Sequence, residues 1–195
     1  MATGFGFKRH QQDSSPQQLV TCVHLVGDAV LLGKGDAVKL VTGSIAVGHG
    51  PIKQAVARAA SGDRVYGVVV GCIQHTVATG LTLDNTYCPA STLMEILVDV
   101  NTPGSLYEVQ EDAVGGAVAT TSIGNNATMI VANANTTTGM SGTMLDSSTA
   151  ATTNTLDLCI RGFSDAGSNT PGATAGAVLV VSFNKIAQVD QATGV

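Results

Sequence analysis

From Leu19 onward the chain is a succession of short apolar runs, each of strand length and each closed by Gly, Asp, Asn or Pro. LVTCVHLVG, AVLLG, AVKLVTG and SIAVG come first, with Gly27-Asp28 and Gly35-Asp36 as turn dipeptides ahead of strands. No long amphipathic helix interrupts them, and no self-similar period of about 20–50 residues suggests a solenoid or propeller. A chain punctuated this way has one economical way to bury its apolar residues. It folds as an all-β protein, an antiparallel β-barrel or sandwich.

Local patterns fill in that frame. Residues 52–60 are ambiguous, because Ala, Lys, Gln and Arg favour helix and Ile52, Val56 and Ala59 recur at helical spacing. Ser61-Gly62-Asp63 then turns the chain into the β-branched run Val68-Val69-Val70. TLMEILVDV (92–100), the turn Asn101-Thr102-Pro103-Gly104 and SLYEVQED read as a hairpin, with Leu106, Glu108 and Gln110 alternating against Tyr107, Val109 and Glu111. Residues 113–154 are rich in Thr, Ser, Gly, Ala and Asn. A structureless linker of that length is foreign to a compact domain, so short strands and ordered loops are expected around Met129-Ile130-Val131. TLDLCIRGF (155–163) and GAVLVVSFNKIAQ supply the last strands, each with residues alternating between two faces. The organisation is an extended N-terminal arm over residues 1–18 and a single all-β domain over residues 19–195.

Charge narrows the function classes. Only 12% of the 195 residues are charged, against about a quarter in ordinary soluble chains, and the formal net charge is −5. An acidic, charge-poor chain is a poor ligand for a polyanion, so nucleic acid is not an expected partner. No apolar run reaches the roughly 18 residues of a membrane span. No apolar segment follows the basic pair near the N-terminus either, so no signal peptide is expected.

Residues that would carry chemistry are scattered. Cys22, Cys72, Cys88 and Cys159 form no C-x-x-C pair. Cys22 with His24, or Cys72 with His75 and Cys88, would be the only material for a metal, and buried free thiols are the preferred reading. Gly33-Lys34-Gly35 lacks the hydroxyl and the helix of a phosphate loop and reads as a hairpin corner, while Gly139-Met140-Ser141-Gly142 brings its second glycine one place too early for a nucleophile elbow. His10, His24, His49 and His75 lie in unrelated settings. Asp28, Asp36 and Asp63 each follow Gly, where a carboxylate caps a turn. Glu108, Glu111 and Asp112 read as a solvated hairpin end rather than a glycosidase pair. No catalytic residue, cofactor or metal is assigned, and the chain is not expected to be an enzyme.

The N-terminal arm holds the candidate partner-binding residues. Phe5 and Phe7 are half of the four Phe in the chain, and Lys8 and Arg9 follow directly. The rings dock either on this protein's own body or on a partner. In an extended chain, positions i and i+2 project to one side. An aromatic-then-basic strand of that kind suits a groove on an acidic neighbouring subunit, where it would add a strand to that subunit's sheet.

The order of GFGFKRH (4–10), GDAVKLVTG, GDRVYGVVVG, LVDVNTPGSLYEVQED, GNNA, TTTGMSGTMLDSSTAATT and LDLCIRGF resembles the small β-rich head proteins of tailed bacteriophages. These are capsid decoration or cement proteins. The blocks at 4–10, 35–40, 107–110 and 139–148 carry the likeness across nearly the whole chain. The resemblance implies a structural virion protein that performs no chemistry. It would bind the assembled major capsid protein at the capsid surface after assembly in the host cytoplasm, as a homotrimer or dimer. The alternative is a carbohydrate- or host-surface-binding β module, for which Trp 0 and Tyr 3 are poor material.

Overall fold

The structure is a computed structural model describing residues 4–11, 15–46, 51–76, 80–112, 114–165, 169–172 and 176–187. Among these residues there is no α-helix. The N-terminal segment contributes β1 (Lys8–Arg9). The first half of the chain supplies β2 (Leu19–His24), β3 (Leu32–Gly33), β4 (Ala37–Ala46), β5 (Ile52–Arg58), β6 (Gly67–Thr76), β7 (Gly80–Asn85), β8 (Tyr87–Cys88) and β9 (Met94–Val100). The second half supplies β10 (Tyr107–Gln110), β11 (Asn126–Ala127), β12 (Met129–Ile130), β13 (Met144–Leu145), β14 (Leu158–Phe163) and β15 (Val178–Phe183).

Strands of the first half form a six-stranded sheet in the order β4-β5-β2-β9-β6-β7. All its pairings are antiparallel except β2 with β5. β4 also pairs with β6, at Ala37↔Val68 and Val38↔Gly67, which closes the sheet on itself as a small barrel. Its interior holds Cys22, Val38, Val56, Val69, Met94, Ile96 and Val98. The second half, with β1 added, forms a five-stranded antiparallel sheet in the order β1-β10-β15-β14-β11. Its core gathers Tyr107, Val109, Leu158, Ile160, Leu179, Val181 and Phe183, and it also takes in Ala37, Ala59, Val65 and Val68 from the barrel. The two-residue period of a strand makes this possible. Val38 and Val69 turn into the barrel while their neighbours Ala37 and Val68 turn towards the second sheet.

One expectation fails here and one open reading is decided, each for a physical reason. Residues 92–112 are not a hairpin. The turn forms, with Ser105 N–H donating to Thr102 O at 3.0 Å and Gly104 at φ +91°, but it passes the chain from one sheet to the other. Both edges of β9 are already taken by β2 and β6, so β10 pairs instead with β1 and β15. Residues 52–58 are strand, not helix. Val56 faces Leu40 and Ala55 faces Val23, so pairing on both sides outweighs a weak helical preference. AVKLVTG and the Ser44-Ile45-Ala46 that follow it are one strand, β4, with an irregularity between Leu40 and Ser44.

The Thr-rich region 114–154 is ordered into short strands, loops and two 3₁₀ turns at Thr120–Ser122 and Ser147–Thr149. Met129 is buried, and its N–H donates to the Asp157 carboxylate at 3.2 Å. Asp157 also accepts from Ser61 Oγ and from Gly62 N–H, both at 2.7 Å, and so ties a turn of the first half to the second sheet. Replacing Asp157 by Ala leaves the buried Met129 N–H without its acceptor. Asp157→Ala is expected to lower unfolding free energy by about 1–3 kcal/mol in urea titration; a change indistinguishable from zero would show that water substitutes fully.

Candidate functional site: a basic-edged apolar groove

The local backbone at Gly33–Asp36 builds the site. Gly35, at φ +92°, lets the turn lie flat under the N-terminal segment, and a side chain there would meet Phe5 O at 2.7 Å. Phe7 N–H donates to Gly35 O at 2.8 Å, and Gly35 N–H donates to Val69 O at 2.8 Å. Residues 4–9 are thereby stacked on the turn, which is stacked on β6. Asp36 anchors the turn from beneath. Its buried carboxylate accepts from Gly33 N–H at 2.8 Å and from the hydroxyls of Ser141 and Thr143. Burial pushes the Asp36 carboxyl above its ordinary range, against the hydrogen bonds from Ser141 and Gly33 and the charge of Arg58.

Phe7 is part of the protein's own core. It is 3% exposed, with its ring centroid 4.8 Å from Phe183 and 6.5 Å from Tyr107. Gly6 at φ +73° breaks the extended backbone between the two Phe residues, so the same-side projection expected of Phe5 and Phe7 does not apply. Phe5 is half-buried and lines the groove. Arg9 is also committed internally. Its guanidinium lies 5.5 Å from the centre of the Tyr107 ring and donates to Asp99 Oδ2 at 3.4 Å and to Ser15 O at 3.0 Å. Lys8 is the exposed member of the four. As β1, Lys8 and Arg9 pair with Glu108 and Tyr107, so this part of the arm augments its own sheet.

Between the second sheet, the barrel and residues 5–9 lies a cavity of about 600 Å³. Its walls are mostly apolar: Phe5 and Phe7, Val68 and Val70 on β6, Met140, and Val178 on β15. Val70 remains 42% exposed and Met140 37% exposed. Lys8, Arg9 and Lys34 line it as well, three of the nine Lys and Arg residues of an acidic chain. The two carboxylates present are engaged: Asp99 with Arg9, and Glu108 with Ser164 Oγ at 2.9 Å and His10 Nδ1 at 3.0 Å.

Sequence reasoning did not find Lys34, Val70 or Met140. The reason for Val70 is a β-bulge between Val69 and Gly71, which turns one residue of an apolar run outward without any trace in the hydrophobic pattern. Lys34 read as a hairpin corner, whereas its backbone bridges to the Met140 segment through Lys34 N–H to Gly139 O and Ser141 N–H to Lys34 O, both at 2.8 Å.

The other candidate groups are internal. The four thiols are buried and none is in a disulfide. Desolvation raises Cys22 to about 11 and Cys88 to about 12, with the neighbouring Cys72 adding to the latter, so neither is a thiolate near neutrality. His24 is fully buried, with Nδ1 2.9 Å from Thr92 O and Nε2 3.0 Å from Val30 O and 3.3 Å from Asp28 Oδ2, so its ring is engaged inside the protein. His49 and the His75 side chain lie outside the described residues. Among the described residues no group of three His, Cys, Asp or Glu is placed to hold a metal. Glu111 is not a solvated hairpin end. It is fully buried and accepts N–H bonds from Val118, Gly176 and Ala177.

Comparison of the chain with protein families, with curated proteins and with solved structures found no match in any of the three. The fold itself defines the class, an all-β protein in which a small closed barrel is joined to an antiparallel sheet.

Two measurements check this construction. Phe7→Ala removes a ring packed between two others and is expected to cost about 3–5 kcal/mol of stability by denaturant unfolding; a cost near zero would return Phe7 to the surface. Asp36 has a folded pKa above its unfolded value, so its neutral form stabilises the protein below the unfolded value, and this is lost as pH rises through the folded one. Asp36→Asn should remove that decline, so that the stability difference between variant and wild type shifts in the variant's favour as pH rises from the ordinary carboxylate range. A difference constant with pH would contradict it.

Proposed function

We propose that this chain is a structural virion protein, a capsid decoration or cement protein that binds the assembled major capsid protein shell and stabilises a phage head. The observation that carries the reading is the groove: an open, mostly apolar cavity with Lys8 and Lys34 at it, on a chain of net charge −5. Exposed Val70 and Met140 are of no benefit to a solitary soluble domain, whereas a contact that covers them recovers apolar burial. Cations beside an apolar floor select a protein surface that offers apolar side chains next to carboxylates. On a symmetric lattice such contacts sum by multivalency, so each need only be modest. The ordered sequence blocks that resemble phage head proteins point the same way.

A carbohydrate-binding reading draws less support. Sugar platforms use exposed aromatic faces, and Phe7, Tyr107 and Phe183 are stacked on one another in the core.

The test is co-sedimentation of the purified chain with empty head shells of the phage that encodes it. Saturable binding that weakens as salt rises is expected. Failure to pellet with shells at any concentration, under conditions where the chain is folded, overturns the reading.

A further inference from the structure

We propose that a second pocket, which shares Phe5 and Met140 with the groove, binds a neutral saccharide. The inference does not depend on the virion reading, because the groove and this pocket offer different chemistry.

The pocket has a volume of about 530 Å³, within the roughly 300–1,000 Å³ of small-molecule sites. Among the described residues its lining holds no charged side chain. Its polar side chains are Asn133, Asn135, Thr138 and Ser141, and its apolar ones are Phe5 and Met140.

The two amides are oriented by the protein itself. Asn135 Oδ1 accepts from Thr137 N–H at 2.8 Å and from Thr138 N–H at 3.1 Å, and Asn133 Oδ1 accepts from Arg58 Nη1 at 3.0 Å. Those partners can only donate, so each oxygen is pinned and each NH₂ is left over. Neither NH₂ has an acceptor among the described residues. Thr138 Oγ1 accepts from Met140 N–H at 3.4 Å, which leaves its O–H to donate. Ser141 Oγ, by contrast, is spent on Asp36 and on Thr143 N–H. The side chains of the pocket thus offer three unspent donors. The loop that carries them is preorganised, with Asn135 N–H donating to Met140 O at 2.9 Å and Gly139 N–H to Asn135 O at 2.7 Å. Gly139, at φ +71°, lies so close to Thr86 O that any side chain there would collide with it. Little conformational entropy remains to be lost on binding.

A wall of donors selects an occupant that brings acceptors. A peptide backbone carries an N–H for nearly every C=O, and N–H groups buried against these donors would go unpaired. A sugar hydroxyl turns freely, so one group accepts from an amide and still donates outward. An uncharged lining gives no counter-charge to an acidic ligand, which makes the sugar a neutral one. The C–H face of a pyranose needs an apolar wall, and Phe5 and Met140 supply it. Phe5 lies outside the stack of Phe7, Tyr107 and Phe183 that removes the other rings from use.

The experiment is a proton–nitrogen NMR titration of the full chain, which reads the Asn NH₂ signals directly. The probes are glucose, galactose, N-acetylglucosamine, maltose and lactose. At least one should move the NH₂ signals of Asn133 and Asn135 and the backbone amides of 138–142 saturably, with a Kd of about 1–10 mM. Binding should be indifferent to salt, since no charge takes part. Asn133→Asp and Asn135→Asp keep the oxygen that the fold uses and delete the donor, so each should weaken binding by about tenfold with the rest of the spectrum unchanged. Thr138→Val, which removes the third donor, serves as a second kind of variant. Silence of these signals with every probe, shifts that do not saturate, or undiminished binding by the variants overturns the proposal. Tighter binding of acetyl-trialanine amide than of any sugar at the same residues overturns it too, and makes the pocket a peptide site.

Discussion

A fold with no α-helix among its described residues carries much of its backbone in loops and crossings, where N–H groups have no repeating partner, and buried ones must still be satisfied. Three interior carboxylates meet that demand here. Asp36 receives Gly33 N–H together with two hydroxyls from the 141–143 segment. Glu111 receives Val118, Gly176 and Ala177. Asp157 receives Gly62 and Met129 with the Ser61 hydroxyl. Each gathers donors from segments far apart in sequence, and a charge-assisted bond of this kind is stronger than a neutral one. The groove depends on the first of them, because Asp36 holds the turn on which residues 4–9 rest.

That dependence explains how the two sheets share a core. The barrel closes through only a short pairing of β4 with β6, and at that seam Ala37 and Val68 turn outward into the aromatic cluster of Phe7, Tyr107 and Phe183. Phe7 arrives there only because Gly35 permits the close crossing. The N-terminal segment is therefore a wedge between the sheets, and the cavity is the space beside the wedge that its side chains leave unfilled. Phe5 at its edge and Val70 on the bulge line the opening.

The all-β architecture was legible because turn residues at strand-length intervals admit little else, and the order within 113–154 followed from the length a free loop would have. Pairing was not legible. The turn at 101–104 has hairpin chemistry, yet the partner of β9 was decided by β2 and β6, strands whose competition no local pattern records. Glu111 read as solvated because its alternation with Val109 was visible while the 176–177 backbone it caps, some 65 residues away, was not. The arm shows the same limit. Its two rings could dock on the protein's own body or on a partner, and only the packed structure shows that Phe7 closes its own core while Phe5 stays half-buried and Lys8 exposed.

Interior carboxylates and outward cations together account for the charge pattern of the surface. Asp36, Glu111 and Asp157 are withdrawn from solvent, Arg9 is drawn inward over Tyr107, and Lys8 and Lys34 stand beside exposed apolar side chains. In water the exposed Lys8 keeps the rim of the groove solvated and guards it against indiscriminate apolar contact, since burying a cation without a counter-charge is costly. A partner that brings carboxylates removes that penalty and gains the apolar floor at once. The same arrangement that makes the groove selective also makes it sensitive to salt, because the discrimination lies in charges near the surface rather than in the shape of the floor.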